Sequence, residues 1–465
     1  MREARPSVNA GRVRLRTLAA VLAAVFTLAR WGVAEPARFD APQIEHFRLS
    51  NGLDVVLERN HRQPRVAVAL SYDVGWRDDP PGYAGLAHLV EHLTYRGSRH
   101  LRSYEGPELL EGAGVAEMNG VTSADRTVYY AVVPAGALEL ALFIESERMA
   151  FTLEAFNQSS LALERSIVMN ELRLKDAVER RFESYVRRCL YGEDHAYSRF
   201  ADEPENVERV TLSDAMWFFQ AGYRPDRAHL VIVGNFEPSI VKLLIARYFD
   251  PVRSPSTPAL VRPALKPASV PTRRVEYLVR GFFDRLVEAR PAPPPGASAR
   301  VATEILARIL DHHLGAVLGE RLGLTAAVST KLVDLAAGSE LWIWAAPRSG
   351  VAAEAIEQAL DRELHELSAA PLREVLRETK AELRQRELER LEDPLPRAWA
   401  HLESISMRAT PFDTSERLRA FQAVTESDVR AAAVQLMSGP HAVGTLVRAS
   451  PKRVLAPEGE VTFTP

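Results

Sequence analysis

Cysteine is nearly absent: Cys189 is the only one in 465 residues. A single thiol cannot close an internal disulfide, so the fold is not stapled, and an oxidising compartment is tolerated rather than exploited. Charge surplus is also missing, with 58 basic against 61 acidic residues and no long block of either sign. Nucleic-acid binding calls for clustered lysine and arginine, so nucleic acid is not an expected partner. Nor is there a long hydrophobic run; the apolar stretch Thr17 to Ala29 is too short for a comfortable membrane span. The charged segment from Leu372 to Leu391 carries no sustained heptad, which makes it a solvated amphipathic helix rather than a coiled coil.

What the short apolar stretch does have is a signal-peptide context. Basic residues from Arg12 to Arg16 precede it, and the small residues Gly32-Val33-Ala34 follow. A positive start, a short apolar centre and a small-residue end predict a secretory signal over residues 1–34, with a mature chain starting near Glu35. The protein is therefore expected to be exported, to a bacterial periplasm, or to stay membrane-anchored if the signal is not cleaved.

The length suits two domains of about 200 residues each. Short β-branched runs predict strands at Val55–Leu57, Val66–Tyr72, Thr127–Val133 and Leu230–Val233, the last closed by Gly234. Helices are predicted over Pro134–Phe151, Leu161–Asp176 and Ser213–Phe219, the last with Thr211 or Ser213 as cap. Interleaved strands and helices imply an α+β (layered α/β) class. Six prolines between Pro251 and Pro271 mark a linker over 251–272, separating an N-terminal domain (36–250) from a C-terminal one (273–465). Beyond the linker the expected elements are strands near Val275 to Val287, a helix from Ala299 to Leu318, a strand at Leu341–Ala345, and helices at Val351–Leu367 and Leu372–Leu391. An internal echo suggests duplication: Ser213-Asp214 precedes a strand and Pro238 as Ser427-Asp428 precedes a strand and Pro451.

The most informative residues are His88-Leu89-Val90-Glu91-His92. On a helix, His88 and His92 stand one turn apart on one face with Glu91 beside them. Two neutral imidazoles aimed at one point begin a zinc site, and a carboxylate between them can take a proton from a water the ion activates. A third ligand must come from elsewhere. The predicted helix carrying Glu164 and Glu171 sets two carboxylates on one apolar stripe, and buried carboxylates need a cation or donors. Their separation of roughly 10 Å along the axis leaves one as ligand and the other as support. In the second half, Ile309-Leu310-Asp311-His312-His313 falls on the corresponding helix without the motif, and the adjacent histidines read as structural or solvated.

His88-x-x-Glu91-His92, followed some eighty residues later by Glu164-x6-Glu171, resembles the pitrilysin family of zinc metallopeptidases. Gly85-Leu86-Ala87 before the motif, Thr94 to Ser98 after it, and Tyr223-Arg224-Pro225 strengthen the likeness. The resemblance implies two domains of similar fold forming half of a clamp, one zinc per chain held by His88, His92 and Glu171, Glu164 as support, and Glu91 as base. It also implies that Asn119 and Gly120 bind an extended peptide on an edge strand, Gly120 in place of alanine loosening that edge slightly. The family draws an arginine and a tyrosine from a second half-domain or partner chain; those positions fall here on Gly319 and Ala326, with Arg321 two residues out of register. The expected function is thus an exported zinc endopeptidase acting on peptides or unfolded segments. Its partner would be a homologous subunit supplying Arg and Tyr, or a second copy of itself. The alternative is a non-catalytic peptide-binding or scaffold subunit.

Overall fold

The computed structural model describes residues 42–172, 175–199, 204–262, 273–279, 284–336, 338–449 and 460–464. The expected signal segment lies outside them. Within them are two six-stranded sheets. The first holds β1 (Gln43–Arg48), β2 (Asp54–Arg59), β3 (Arg65–Tyr72), β4 (Glu117–Thr122), β5 (Thr127–Pro134) and β6 (Ala228–Gly234) in the order β1-β2-β6-β3-β5-β4. The second holds β7 (Arg273–Val279), β8 (Arg285–Ala292), β9 (Thr325–Leu335), β10 (Gly338–Pro347), β11 (Ala442–Arg448) and β12 (Glu460–Thr464) in the order β12-β7-β11-β8-β10-β9. Position for position the sheets match: β2–β6 and β7–β11 are the parallel pairs, and every other pairing is antiparallel. Only the outermost strand differs in origin, coming first in one half and last in the other.

The first half supplies helices α1 (Leu86–Leu93), α2 (Glu105–Gly112), α3 (Leu138–Ala150), α4 (Gln158–Glu171), α5 (Lys175–Tyr191), α6 (Pro204–Glu208), α7 (Leu212–Gly222) and α8 (Pro238–Phe249). The second supplies α9 (Ser298–Leu314), α10 (Ala353–Ala369), α11 (Arg373–Glu389), α12 (Pro394–Arg408), α13 (Thr414–Ala423) and α14 (Glu426–Ser438). The duplication echo has a structural cause. Thr211 and Asp214 form a capping box that opens α7, and Thr425 and Asp428 form the same box on α14, each leading to the parallel strand of its sheet. Ser213 and Ser427 lie inside the first turns, so Thr211 is the cap; Pro451 lies outside the described residues.

The halves do not keep their helices to themselves. One face of the first sheet packs Val55, Leu57, Val68, Leu70 and Ile232 against the helices of its own half. Its other face, through Val56, Ala67, Ala69, Val231 and Val233, is covered by Leu395, Ala398, Leu402 and Ile405 of α12. Reciprocally, Phe182, Val186, Cys189 and Leu190 of α5 cover Val275, Tyr277, Val287, Ala289 and Leu446 of the second sheet. Both faces of each sheet are thereby buried, which is why the central strands read as continuous apolar runs instead of alternating ones. At the first crossing, Arg397 pairs with Glu58 of β2 while His401 lies 2.6 Å from the same carboxylate, all fully buried.

Several boundaries differ from the sequence expectation. The helix expected over Leu161–Asp176 stops at Glu171, and a separate one begins at Lys175. The helix expected to reach Leu318 is α-helical to Leu314 and then widens into a π turn over Gly315–Arg321. The described part of the proline-rich stretch, 251–262, contains no helix or strand yet is tied down: Leu260 N–H donates to the Ala221 carbonyl, and Arg262 grips Asp78 at 2.8 Å. Among the described residues no helix is long and apolar enough to cross a membrane.

Candidate metal centre

Helix α1 starts at Gly85, whose φ of +94° turns the chain into it. The buried carboxylate of Asp79 accepts the N–H groups of Gly85 and Ala87, each at 2.8 Å, filling the helix N-terminus with an acceptor of the right sign. Leu86, Ala87, Leu89, Val90 and Leu93 are driven into the core, which turns His88 and His92 toward α4.

The two imidazoles bring their Nε2 atoms to 3.2 Å of each other. Glu171, the last residue of α4, places Oε2 3.5 Å from His88 Nε2 and 3.6 Å from His92 Nε2. In a tetrahedral zinc site with bonds of about 2.0–2.2 Å, ligand atoms lie roughly 3.3–3.6 Å apart, so this donor set fits the ion. Among the described residues it is the one cluster of three or more such donors that could hold a metal. Glu164, fully buried one face-repeat earlier on α4, takes a different part. Its Oε2 lies 3.0 Å from His92 Nδ1, while Arg96 and Tyr104 donate to Oε1. That bond holds the ring in the tautomer that leaves Nε2 free for the shared point.

Electrostatics follow from the packing. Burial, aided by His92 and Arg180, pushes His88 down to about 3, keeping it in the neutral, ligating form. At His92 burial acts downward too, but the hydrogen bond to Glu164 and the nearby Glu171 and Glu91 outweigh it and raise its pKa. Burial raises the Glu91 carboxyl. This carboxyl sits beside the cluster against strand β4: Thr122 Oγ1 donates to its Oε2 at 2.5 Å.

Strand β4 ends the first sheet, with β5 on one side and no described strand on the other. Asn119 and Gly120 are in it, the Asn119 amide oxygen accepting the Gly120 N–H at 2.9 Å. Gly120 has a steric reason to be glycine. A Cβ there would stand 2.6 Å from Glu91 Oε1 and 2.8 Å from the Tyr95 hydroxyl, so the bare Cα is the surface against which both rest. The sequence reading missed Asp79, Tyr95 and Thr122. Thr122 carried a usable signal, since it sits two residues from Gly120 and so on the same face of an edge strand.

Residues 54–195 match the family model described as insulinase (peptidase family M16), and residues 209–383 match the one described as peptidase M16 inactive domain. The chain belongs to the M16, pitrilysin-like, peptidase family. It is 28% identical to a probable mitochondrial-processing peptidase subunit beta of Schizosaccharomyces pombe over 45% of each chain. It is 26% identical to the zinc protease PqqE of Helicobacter pylori over 54% of this chain and 56% of that one. In both cases the match spans about half the relative's length. Among solved structures, a protease from Helicobacter pylori superposes with a TM-score of 0.80 over 87% of this chain and 99% of that one at 21% identity. The periplasmic protease PqqL of Escherichia coli superposes at 0.72 over 88% of this chain and 49% of that one at 18% identity. These structural likenesses show the M16 half-clamp fold of two related domains. Named zinc proteases in the family support a peptidase role and imply zinc for the family.

The second M16 half carries an echo of the centre. On α9, Arg308, Asp311 and His312 have the spacing of His88, Glu91 and His92. Arg308 Nε donates to Glu382 of α11 at 2.8 Å, His312 Nε2 lies 3.1 Å from the same carboxylate, and Asp311 accepts the Thr330 N–H of β9. A guanidinium stands where the first half has a histidine, so the acidic group is neutralised by a side chain. His313 is bound to Glu363 at 2.8 Å, and so is Arg321. Gly319 lies in the π turn and Ala326 on β9. Neither offers a side-chain donor.

Proposed function

We propose that this chain is a zinc-dependent endopeptidase, exported and acting on extended peptides or unfolded segments. The observation that carries it is the convergence of His88 Nε2, His92 Nε2 and Glu171 Oε2 at zinc spacing with a second carboxylate, Glu91, outside the donor set and held beside them by the Thr122 hydroxyl. Those three side chains would hold a zinc ion, which would supply Lewis acidity toward a peptide carbonyl and toward water. Glu91 then takes the water's proton and delivers it to the leaving amine, a task suited to a carboxyl whose affinity for protons burial has raised. Glu164 holds His92 in its ligating tautomer. The free edge of β4 at Asn119 and Gly120 pairs with the substrate backbone, adding a strand to the sheet.

Export is supported by the signal-like residues 1–34, and the Escherichia coli relative of similar fold is a periplasmic protease. The lack of donors at Gly319 and Ala326 supports a two-chain enzyme in which a homologous subunit supplies arginine and tyrosine. On that reading the purified chain cleaves weakly alone and gains activity when mixed with such a subunit; full activity of the isolated homodimer would dispose of the two-chain part.

The central test is zinc stoichiometry together with cleavage of a quenched peptide, each with and without chelator. One zinc per chain and chelator-sensitive cleavage are expected, and Glu91→Gln should keep the zinc while losing at least about a hundredfold in turnover. Zinc without any cleavage, alone or with a partner, would leave a peptide-holding subunit instead.

A further inference from the structure

We infer that Thr122 is a positioning residue for the base, and that it makes the peptide-accepting edge and the proton-transferring carboxylate one mechanical unit. The inference rests on the peptidase reading above. Glu91 is anchored from the strand and not from its own helix: Thr122 Oγ1 donates to Oε2 at 2.5 Å, and Oε1 lies against Gly120, where a Cβ would come within 2.6 Å. Gly120 and Thr122 are two residues apart, so they present the same face of β4 to the carboxylate. Thr122 is fixed in turn by the sheet: it stands opposite Thr127 in the β4–β5 ladder, and the Thr127 hydroxyl donates to the Val74 carbonyl at 2.9 Å.

Two consequences follow from chemistry alone. A carboxylate has two oxygens and one soft terminal torsion; with Oε2 held by a hydroxyl, the plane of the group is set and Oε1 keeps its remaining lone pairs for a proton. A strand that gains a paired substrate is also held more rigidly along its length. Substrate pairing at residues 119–120 therefore reaches Glu91 through Thr122, and the base is best aligned when the edge is occupied. Positioning of this kind acts on the chemical step rather than on substrate affinity.

The test uses the full chain, with its partner subunit if activity requires one. Thr122→Val removes the hydroxyl and keeps the shape; Thr122→Ser keeps the hydroxyl. The expected result for Thr122→Val is a fall in kcat of about tenfold, KM within about twofold, and unchanged zinc content, with Thr122→Ser near the parent. Wild-type kcat in Thr122→Val overturns the inference. So does a rise in KM at unchanged kcat, which would make Thr122 a substrate contact, or loss of zinc, which would make it a support of the fold. A parent protein that binds zinc and cleaves nothing defeats the peptidase reading itself, and the positioning role falls with it.

Discussion

The two carboxylates of α4 differ in a way only their surroundings explain. Glu164 has no exposure and is met by an imidazole, a guanidinium and a phenol; Glu171 is part-exposed at the helix end, facing two imidazole nitrogens. Their substitutions should therefore fail differently. Glu171→Ala removes a donor from the cluster, and zinc content after dialysis should fall to near zero while the fold is retained. Glu164→Gln keeps the cluster but weakens the hold on His92, which should lower zinc affinity about 10–100-fold, read by competition with a chelator. At this scale the two histidines and Glu91 were legible because five consecutive residues on one helix carry their own geometry. Asp79 and Tyr95 were not, because what they touch depends on how a loop, a helix end and a strand meet; Thr122 was legible only as a same-face neighbour of Gly120.

Among the elements, the matched capping boxes are the clearest trace of duplication. Each satisfies two backbone donors, so Thr211→Ala and Thr425→Ala should each cost about 1 kcal/mol in denaturant unfolding. Equal treatment of both would be informative, since one serves the half that holds His88, His92 and Glu171 and the other does not. The strands of the first sheet also hold a buried histidine between acids: His229 of β6 lies 3.3 Å from Asp54 and 3.2 Å from Asp73. Burial opposes its protonation, but the two carboxylates outweigh it and raise it to about 9 from 6.5. A raised histidine stabilises the fold fully below pH 6.5 and loses that contribution as pH climbs through 9, in total up to roughly 3 kcal/mol. Stability should thus decline between these values, and His229→Gln should flatten the decline. Element types were well read where period and length agreed, as in Val66–Tyr72 and Val351–Leu367. The end of α4 was placed too late, and the long edge strand β9 was not anticipated, because mixed polar and apolar residues on a solvent-facing edge give no clean alternation.

Across the molecule, the decisive feature is the exchange of α5 and α12 between sheets. It converts two copies of a layered unit into a body in which neither sheet is covered without the other half. The buried group of Glu58, Arg397 and His401 sits at one of these crossings, so Arg397→Ala should leave a carboxylate buried without its main partner and cost about 3–5 kcal/mol. The expectation of two related halves captured the duplication and not this interlock; the described part of the proline-rich stretch lies packed against the first half.

What the amino-acid order determined by itself was whatever is encoded within one turn or one strand: the imidazole pair, its neighbouring carboxylate, the capping boxes, the buried runs. Helical period places such groups without help from the rest of the chain. What only the tertiary structure decided was which acid completes the cluster, how Glu91 is held against β4, and which helices cover which sheet. Those contacts join segments from some thirty to more than three hundred residues apart, and their geometry exists only once the sheets, through burial on both faces, have fixed where every helix must lie.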